Sequence, residues 1–402
     1  MLAILATHPI QYQVPIWRGL AGHGGLPLKV FYMSDQGLKA RFDPGFGDSF
    51  AWDIDLLSGY PHEFIDVVEA RRQDSFGWLR LKFGFGAMLR GQGVKVLWVQ
   101  GWQVFAYWQA IREARRAGIQ IWLRGDSNLR SNRSRLKQSL KWLVLRQLLN
   151  RVDYFLVVGE ANRQFYLQLG YQARQLVSAP HCVENERFAR QADQARPGRS
   201  LTRAQWGIPD DSFCFLFVGK FIAKKRPLDL AEAVRRLQQR QPGQKLHILW
   251  VGTGELGNDI REACTIHYCP ESGLGAIATA SGLPAASFTG FLNQSEIAHA
   301  YVAADALVLT SDAKETWGLV VNEAMASGLP CVVSAACGCT EDLVLPLRPD
   351  LSFPVGDLEA LTNALAAVVA DPPSAGLLQS HMHGYDVQRT VDSVTALYHR
   401  HH

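Results

Sequence analysis

The stretch that most constrains this chain is a strand, loop, helix, strand unit over residues 306–334. Ala306-Leu-Val-Leu-Thr310 is an apolar run of the kind that lies buried on both faces in a parallel sheet. After the polar turn that starts at Ser311, a short helical pattern begins near Leu319. Gly328 is placed to cap its C-terminus, and Pro330 follows where a helix cannot continue. Cys331-Val-Val-Ser334 is the next strand. In an open α/β sheet, ligands sit beyond the carboxyl ends of the strands, where helix N-termini point their free amides. The amides of about Trp317 to Val320 form such an end, suited to a phosphate. Glu315 precedes the helix and Glu323 lies within it; both are acceptor-only groups able to hold hydroxyls on either side of that anion. The plainer alternative makes Glu315 a dipole partner of the first turn and Glu323 a solvated helix residue.

At 402 residues the chain fits two domains, and 48% apolar with 19% charged residues describes a folded protein, not a disordered one. The charge is uneven. Residues 1–190 carry 25 Lys and Arg against 15 Asp and Glu, and the remainder carries 16 against 22. A basic first half suggests attraction to an anionic surface or a phosphorylated acceptor. The seven cysteines are odd in number and scattered, several within strand-like runs, so the chain reads as a thiol protein of a reducing cytosol. Cys264-x-x-His267-x-Cys269 has no fourth ligand at a familiar metal spacing, and the segment from Cys264 to Gly275 reads as extra loop. Met1 to Ala6 lacks a basic leader region, and no apolar run approaches the roughly 20 residues that span a bilayer.

The first half alternates strands and helices: Leu2–Ala6, Leu28–Met33, Lys95–Gln100, Ile119–Leu123 and Asp153–Val158 are strands. Gly-x-Gly-x-x-Gly is absent at the first strand-to-helix turn, which argues against a dinucleotide-dependent dehydrogenase. His8 and Gln11 put polar groups there instead, as a capped loop or as substrate contacts. The polar segment 34–59 is an ordered excursion or a surface loop. Arg124 and Asp126 follow the fourth strand. From Arg130 to Arg151 the chain is basic with no acid, and its leucines fit one helical face. It is a packed helix with a solvated basic side, or a surface helix resting on anionic lipid. Nucleic acid is disfavoured, because no aromatic interleaving or known module accompanies the charge.

In the second half, Phe213–Val218 ends at Gly219-Lys-Phe-Ile-Ala-Lys-Lys-Arg-Pro227. Gly219 lets an anion approach the backbone, and Lys220, Lys225 and Arg226 bring positive charge beside it. The spacing is not that of a P-loop. Leu246–Val251 then runs into Gly252-Thr-Gly254, again with glycines where a nucleotide approaches.

The frame Glu315-x-Trp-Gly-x-x-x-x-Glu323 resembles the signature of retaining glycosyltransferases of the GT-B fold, especially glycosyltransferase family 4. The resemblance implies that Glu315 contacts donor-sugar hydroxyls and Glu323 the nucleotide ribose. The backbone around Trp317, Gly318 and Leu319 then meets the diphosphate. Lys220 and Lys225 look like the family's pair of basic residues on that diphosphate; Lys220 stands where arginine is usual, losing bidentate geometry for which Arg226 compensates. Gly338-Cys-Thr340 resembles a turn close to the donor sugar, with Cys339 in place of the usual glycine. The run from His8 to Pro15 resembles a subgroup that makes surface polysaccharides. Relatives often carry a histidine near Arg124 and Asp126; here those two take a substrate role or pair with each other.

The expected architecture is α/β: two Rossmann-like domains facing a central cleft, with a C-terminal helix crossing back to the first. The expected divisions are an acceptor domain (1–190), a linker (191–200), a nucleotide-sugar domain (201–375) and a helical tail (376–402). The expected reaction moves a hexose-type sugar from a nucleotide diphosphate to a hydroxyl of a glycan or lipid-linked acceptor, with retained configuration. No Asp-x-Asp pair stands at a strand end, so the lysines, not a metal or other cofactor, neutralise the departing diphosphate. The expected location is cytoplasmic, peripheral at the membrane's inner face. A nucleotide-sugar epimerase of the same fold and a non-catalytic nucleotide-sugar or lipid scaffold are the alternatives.

Overall fold

The computed structural model describes residues 1–22, 26–43, 45, 47–70, 75–130, 145–270 and 282–401. Residues 1–40, 55–181 and 387–402 form one compact unit, and residues 41–54 with 182–386 form the other. Each is built on a seven-stranded sheet whose named pairings are all parallel.

The strands of the first sheet are β1 (Leu2–Ala6), β2 (Leu28–Tyr32), β3 (His62–Phe64), β4 (Val96–Val99), β5 (Gln120–Gly125), β6 (Tyr154–Val157) and β7 (Leu176–Ser178). Their order is β7-β6-β5-β4-β1-β2-β3. The central strands are short runs of wholly buried apolar residues, as a sheet covered on both faces requires. The chain builds outward from β1 on one side and returns to build from β4 on the other, so the order reverses between β1 and β4. The edge strands β3 and β7 mix polar with apolar residues and carry no strong sequence signal.

The second sheet contains β8 (Phe213–Val218), β9 (Leu246–Val251), β10 (Thr265–Tyr268), β11 (Ala285–Gly290), β12 (Ala306–Leu309), β13 (Cys331–Ser334) and β14 (Ser352–Phe353). Their order is β10-β11-β9-β8-β12-β13-β14, which reverses between β8 and β12. The reading of Cys264–Gly275 as loop is corrected at its start: Thr265–Tyr268 pairs with β11 as the edge strand, and 271–281 lie outside the described residues.

The expected linker is also corrected. Within 191–200 the chain is helical, in Asn185–Ala195, a 3-10 turn at Arg196–Gly198 and Arg199–Gln205. Pro197 sits in the first turn of its helix, where its missing N–H costs nothing. Ala192 and Ala195 pack with Val302, while Arg199 and Arg203 both reach Asp305. The tail contributes Ala375–Met382 to the second unit and Val387–His401 to the first. That last helix packs against Val14–Gly22 so closely that a Cβ on Gly19 would lie 2.6 Å from Val391 Cγ2. Thr390 also donates to the Pro180 carbonyl at 3.2 Å, within the same unit.

Candidate active site

In open parallel sheets ligands sit where the strand order reverses, which singles out one place in each unit. In the second unit it is the carboxyl ends of β8 and β12. The loop after β8 and the loop after β12 are tied together there. Asp312 N donates to the Lys224 carbonyl at 2.8 Å, and Thr310 Oγ1 to the Lys225 carbonyl at 2.7 Å. These bonds bring Lys225 Nζ to 2.5 Å from Glu315 Oε2, each side chain about one-seventh exposed. Residues 90 positions apart thus meet as a half-buried ion pair at the reversal point.

Beside the pair begins the helix Leu319–Ala326. Gly318 caps it at φ 106°, with no side-chain cap; the Val321 amide donates to the Gly318 carbonyl at 2.9 Å, which leaves the Leu319 and Val320 amides as the donors of the first turn for another acceptor. A Cβ there would stand 2.7 Å from Leu309 Cδ2, a second reason for glycine. Trp317 is nearly fully buried, and its indole donates to Asn322 Oδ1 at 2.8 Å, so its side chain fixes the loop to the helix. Leu319 and Val320 stay half-exposed at the helix start. Gly338 closes the far wall: a Cβ on it would lie 1.8 Å from the Thr316 carbonyl oxygen.

The remaining donor-side residues divide. Lys220 is half-buried in the β8 loop, and a Cβ on Gly219 (φ 143°) would lie 3.8 Å from Lys225 Cε, so that lysine passes over the glycine. Arg226 stands at the start of the next helix at φ 49°, and its guanidinium pairs with Asp229 at 2.7 Å. Gly252 and Gly254 have a packing cause of their own. A Cβ on Gly252 would meet the Gly219 oxygen at 2.1 Å, and one on Gly254 the Phe221 oxygen at 2.7 Å. Loop-on-loop packing alone requires both glycines. Thr340 is buried and donates its hydroxyl to the Ser334 carbonyl at 2.8 Å, which makes it a brace of the 337–344 turn. Glu323, expected as an open ribose contact, is almost wholly buried and already accepts from Tyr301 and Gln294.

In the first unit the reversal lies between β1 and β4. His8 follows β1, with Nδ1 3.0 Å from Thr7 Oγ1, and burial pushes its pKa down to about 4, so the ring is neutral near pH 7. Gln11 is buried in the same turn. Gln100, at the end of β4, was not singled out by sequence; its side chain is buried, and its amide nitrogen has no hydrogen-bond partner among the described residues. Arg124 is buried and donates to the carbonyls of Ala179 and Pro180. It holds the end of the first unit's chain, which corrects the expectation of a substrate contact. Asp126 is half-exposed and near Tyr166, whose hydroxyl pKa it helps raise.

Of the basic stretch 130–151, residues 131–144 lie outside the described residues, and 145–149 are helical. Among the described residues no helix is long and apolar enough to cross a membrane, and no group of three or more His, Cys, Asp or Glu is placed to hold a metal. All seven cysteines are buried.

Fold and site together define a class: a two-unit α/β protein with a lysine–glutamate pair beside a helix N-terminus at the reversal point of the second sheet. Comparison with known families specifies it. A model described as "Glycosyl transferases group 1" matches residues 198–380, and one described as "Glycosyl transferase 4-like domain" matches residues 61–181. The chain belongs to the GT-B glycosyltransferases of family 4. It is 29% identical over 260 residues to a D-inositol 3-phosphate glycosyltransferase of Saccharomonospora viridis, covering 60% of this chain and 56% of that one. It is 26% identical over 223 residues to an Escherichia coli UDP-Gal:alpha-D-GlcNAc-diphosphoundecaprenol alpha-1,3-galactosyltransferase, covering 54% and 52%. The chain thus spans little more than half the length of these relatives. A structure of Anabaena HepE in complex with UDP and glucose shares the fold, with TM-score 0.65 and 15% identity over 99% of each chain.

Proposed function

We propose that this protein transfers a sugar from a nucleoside diphosphate donor to a hydroxyl of a glycan or lipid-linked acceptor, with retention at the anomeric carbon. The observation that carries the reading is the Lys225–Glu315 pair beside an uncapped helix N-terminus at the reversal point of the second sheet. In this scheme Lys225 and Lys220 meet the diphosphate together with the first-turn amides of Leu319 and Val320. As the bond from anomeric carbon to phosphate oxygen breaks, negative charge grows on that oxygen, and fixed cations and amide dipoles stabilise it without reorganising. Glu315, its carboxylate steadied by Lys225, accepts hydrogen bonds from donor-sugar hydroxyls. An oxygen of the departing phosphate takes the acceptor's proton, so no separate base is needed.

Relatives named for inositol phosphate and diphosphoundecaprenol acceptors favour a place in glycolipid, lipopolysaccharide or polysaccharide synthesis. A peripheral position at the cytoplasmic membrane face fits such an acceptor and the excess basic charge of residues 1–190. The lysines standing in for a metal is part of the proposal, and turnover unchanged by a chelator is its expected outcome.

The test is product analysis across UDP-, GDP- and ADP-sugars, with and without lipid-linked and soluble glycan acceptors. Free nucleotide together with transferred sugar of unchanged anomeric configuration is expected. An altered sugar still attached to its nucleotide indicates epimerisation instead, and silence with every donor indicates a scaffold.

A further inference from the structure

In the first unit, the chain that leaves β3 turns back as an antiparallel hairpin, Val67–Glu69 against Leu79–Leu81, and then enters the helix Phe85–Gly91. Alternation along a strand gives the hairpin two unlike faces. Leu79 and Leu81 are buried in the first core, whereas Val68 and Arg80, directly opposite one another, are exposed. Val68 is 56% exposed, and Phe83, two residues past the second strand, is fully exposed. Phe76, in the connection between the strands, is 48% exposed. It packs edge-on against Phe105 and Trp108, and the Arg80 guanidinium lies 5.6 Å from the same Phe105 ring. The exposed apolar groups therefore belong to one surface, not to scattered positions, and clustering is what distinguishes a contact site from ordinary surface.

That surface is firmly mounted. Leu81 N donates to Gln109 Oε1 at 2.9 Å, and Gly86 N donates to Glu113 Oε2 at 3.0 Å, which fixes both sides of Phe83 to the helix Phe105–Arg116. Phe105 N donates to the Phe76 carbonyl at 2.7 Å. Phe105 opens the helix that follows β4, so the surface lies toward the carboxyl ends of the first sheet, the side on which His8 and Gln100 stand. Its charge is positive. Residues 64–70, 75–93 and 105–117 carry six basic against three acidic side chains. Glu113 is engaged by the Gly86 amide and Arg115 by Asp153, which leaves Arg80, Lys82, Arg90, Arg112 and Arg116 exposed against Asp66 and Glu69.

We propose that this surface seats the protein on an anionic lipid bilayer. Phe83, Phe76 and Val68 enter the headgroup boundary, and the surrounding lysine and arginines extend their stems over them to meet lipid phosphates. A phenylalanine that protrudes completely, ringed by long flexible cations, suits a fluid interface that closes around each side chain. The inference deepens the lipid-linked acceptor reading above and rests on it for its purpose, not for the contact itself: an acceptor held in that bilayer is met at the carboxyl ends of the first sheet. It is independent of the basic stretch 130–151, most of which lies outside the described residues.

The experiment is co-sedimentation of the whole protein with phosphatidylcholine vesicles, with and without added phosphatidylglycerol, in the absence of any donor. Wild type is expected to bind the anionic vesicles and to bind neutral ones far more weakly. Phe83→Ser should lower binding to anionic vesicles about tenfold, with an unchanged melting temperature because the ring packs on nothing that folding requires. Arg112→Glu should lower it roughly 30-fold and leave the weak binding to neutral vesicles as it was. Leu201→Ser, which removes an apolar side chain 65% exposed in the second unit, should bind like wild type. Wild type that ignores anionic vesicles, or Phe83→Ser that binds them like wild type, overturns the proposal. So does a self-association of wild type, seen by sedimentation velocity, that Phe83→Ser abolishes, since a second copy then covers this face. Vesicle binding without transfer to any lipid-linked acceptor would instead sink the acceptor reading and leave the surface in place.

Discussion

The two reversal points differ in how their polar groups are used. In the second unit, the loops after β8 and β12 are stitched by bonds to the Lys224 and Lys225 carbonyls, and the side chains they carry, Lys225 and Glu315, meet each other about one-seventh exposed. In the first unit, Arg124 is spent on two carbonyls of its own chain, and His8 is held neutral by burial. On the proposed reading, the second unit offers a fixed cation to the diphosphate, and the first meets an acceptor hydroxyl, which is uncharged. The contrast teaches that strand-end polarity alone does not mark a site. What marks it is whether the polar groups remain directed at open space once the fold's own hydrogen bonds are made.

The sharpest break in that comparison is Glu315→Gln. It keeps size and packing but removes the negative charge that Lys225 faces, and turnover is expected to fall about 10³-fold with an unchanged melting temperature. Unchanged turnover removes Glu315 from the site. Next comes the contrast between two neighbours: Lys225→Ala should lower kcat/KM about 100-fold, whereas Arg226→Ala, whose guanidinium is occupied by Asp229, should cost only about threefold, as expected of an exposed pair. Equal losses would mean that Arg226 reaches the donor after all. In the first unit, Arg124→Ala should act on folding. The Ala179 carbonyl loses its guanidinium donors and the Pro180 carbonyl keeps only Thr390, so stability measured by denaturant titration should drop about 2 kcal/mol with nucleotide affinity unaltered.

The smallest effect is that of His8 on pH dependence. Its folded pKa is depressed to about 4 from 6.5, so between those values the unfolded chain binds more protons and stability rises with pH. Above pH 6.5 the contribution is complete. His8→Asn should reduce the slope of unfolding free energy in that window by up to about 1.4 kcal/mol per pH unit. A residual slope should remain, because His247 in the second unit is lowered to about 3, also mainly by burial.

Much of this was legible in the sequence where cause and residue are neighbours. Apolar runs such as Leu2–Ala6 and Ala306–Leu309 announce buried parallel strands, and the Glu315 to Glu323 frame announces the loop that meets the helix. That Lys225 and Glu315 would lie near one another was expected only from a resemblance, and their pairing was not foreseen, since nothing local links residues so far apart. Other features were hidden because their causes lie elsewhere in the chain. Gly252 is glycine on account of the Gly219 carbonyl, a contact with no trace in the Gly252-Thr-Gly254 string. Tyr301 and Gln294 are single polar residues without a pattern, visible only once helix and loop close over Glu323. The stretch 191–200 looked like a linker because Pro197, Gly198 and its charges mimic one; Arg199 there and Arg203 just beyond it are anchored by Asp305 from far downstream.

The most direct test is nucleotide affinity across the ion pair, measured by titrating UDP, GDP and ADP into wild type and Lys225→Ala. One nucleoside diphosphate should bind wild type and lose at least tenfold in affinity when the lysine is removed, while Arg124→Ala binds like wild type. Equal affinity in wild type and Lys225→Ala would contradict a donor site at the meeting of these two loops.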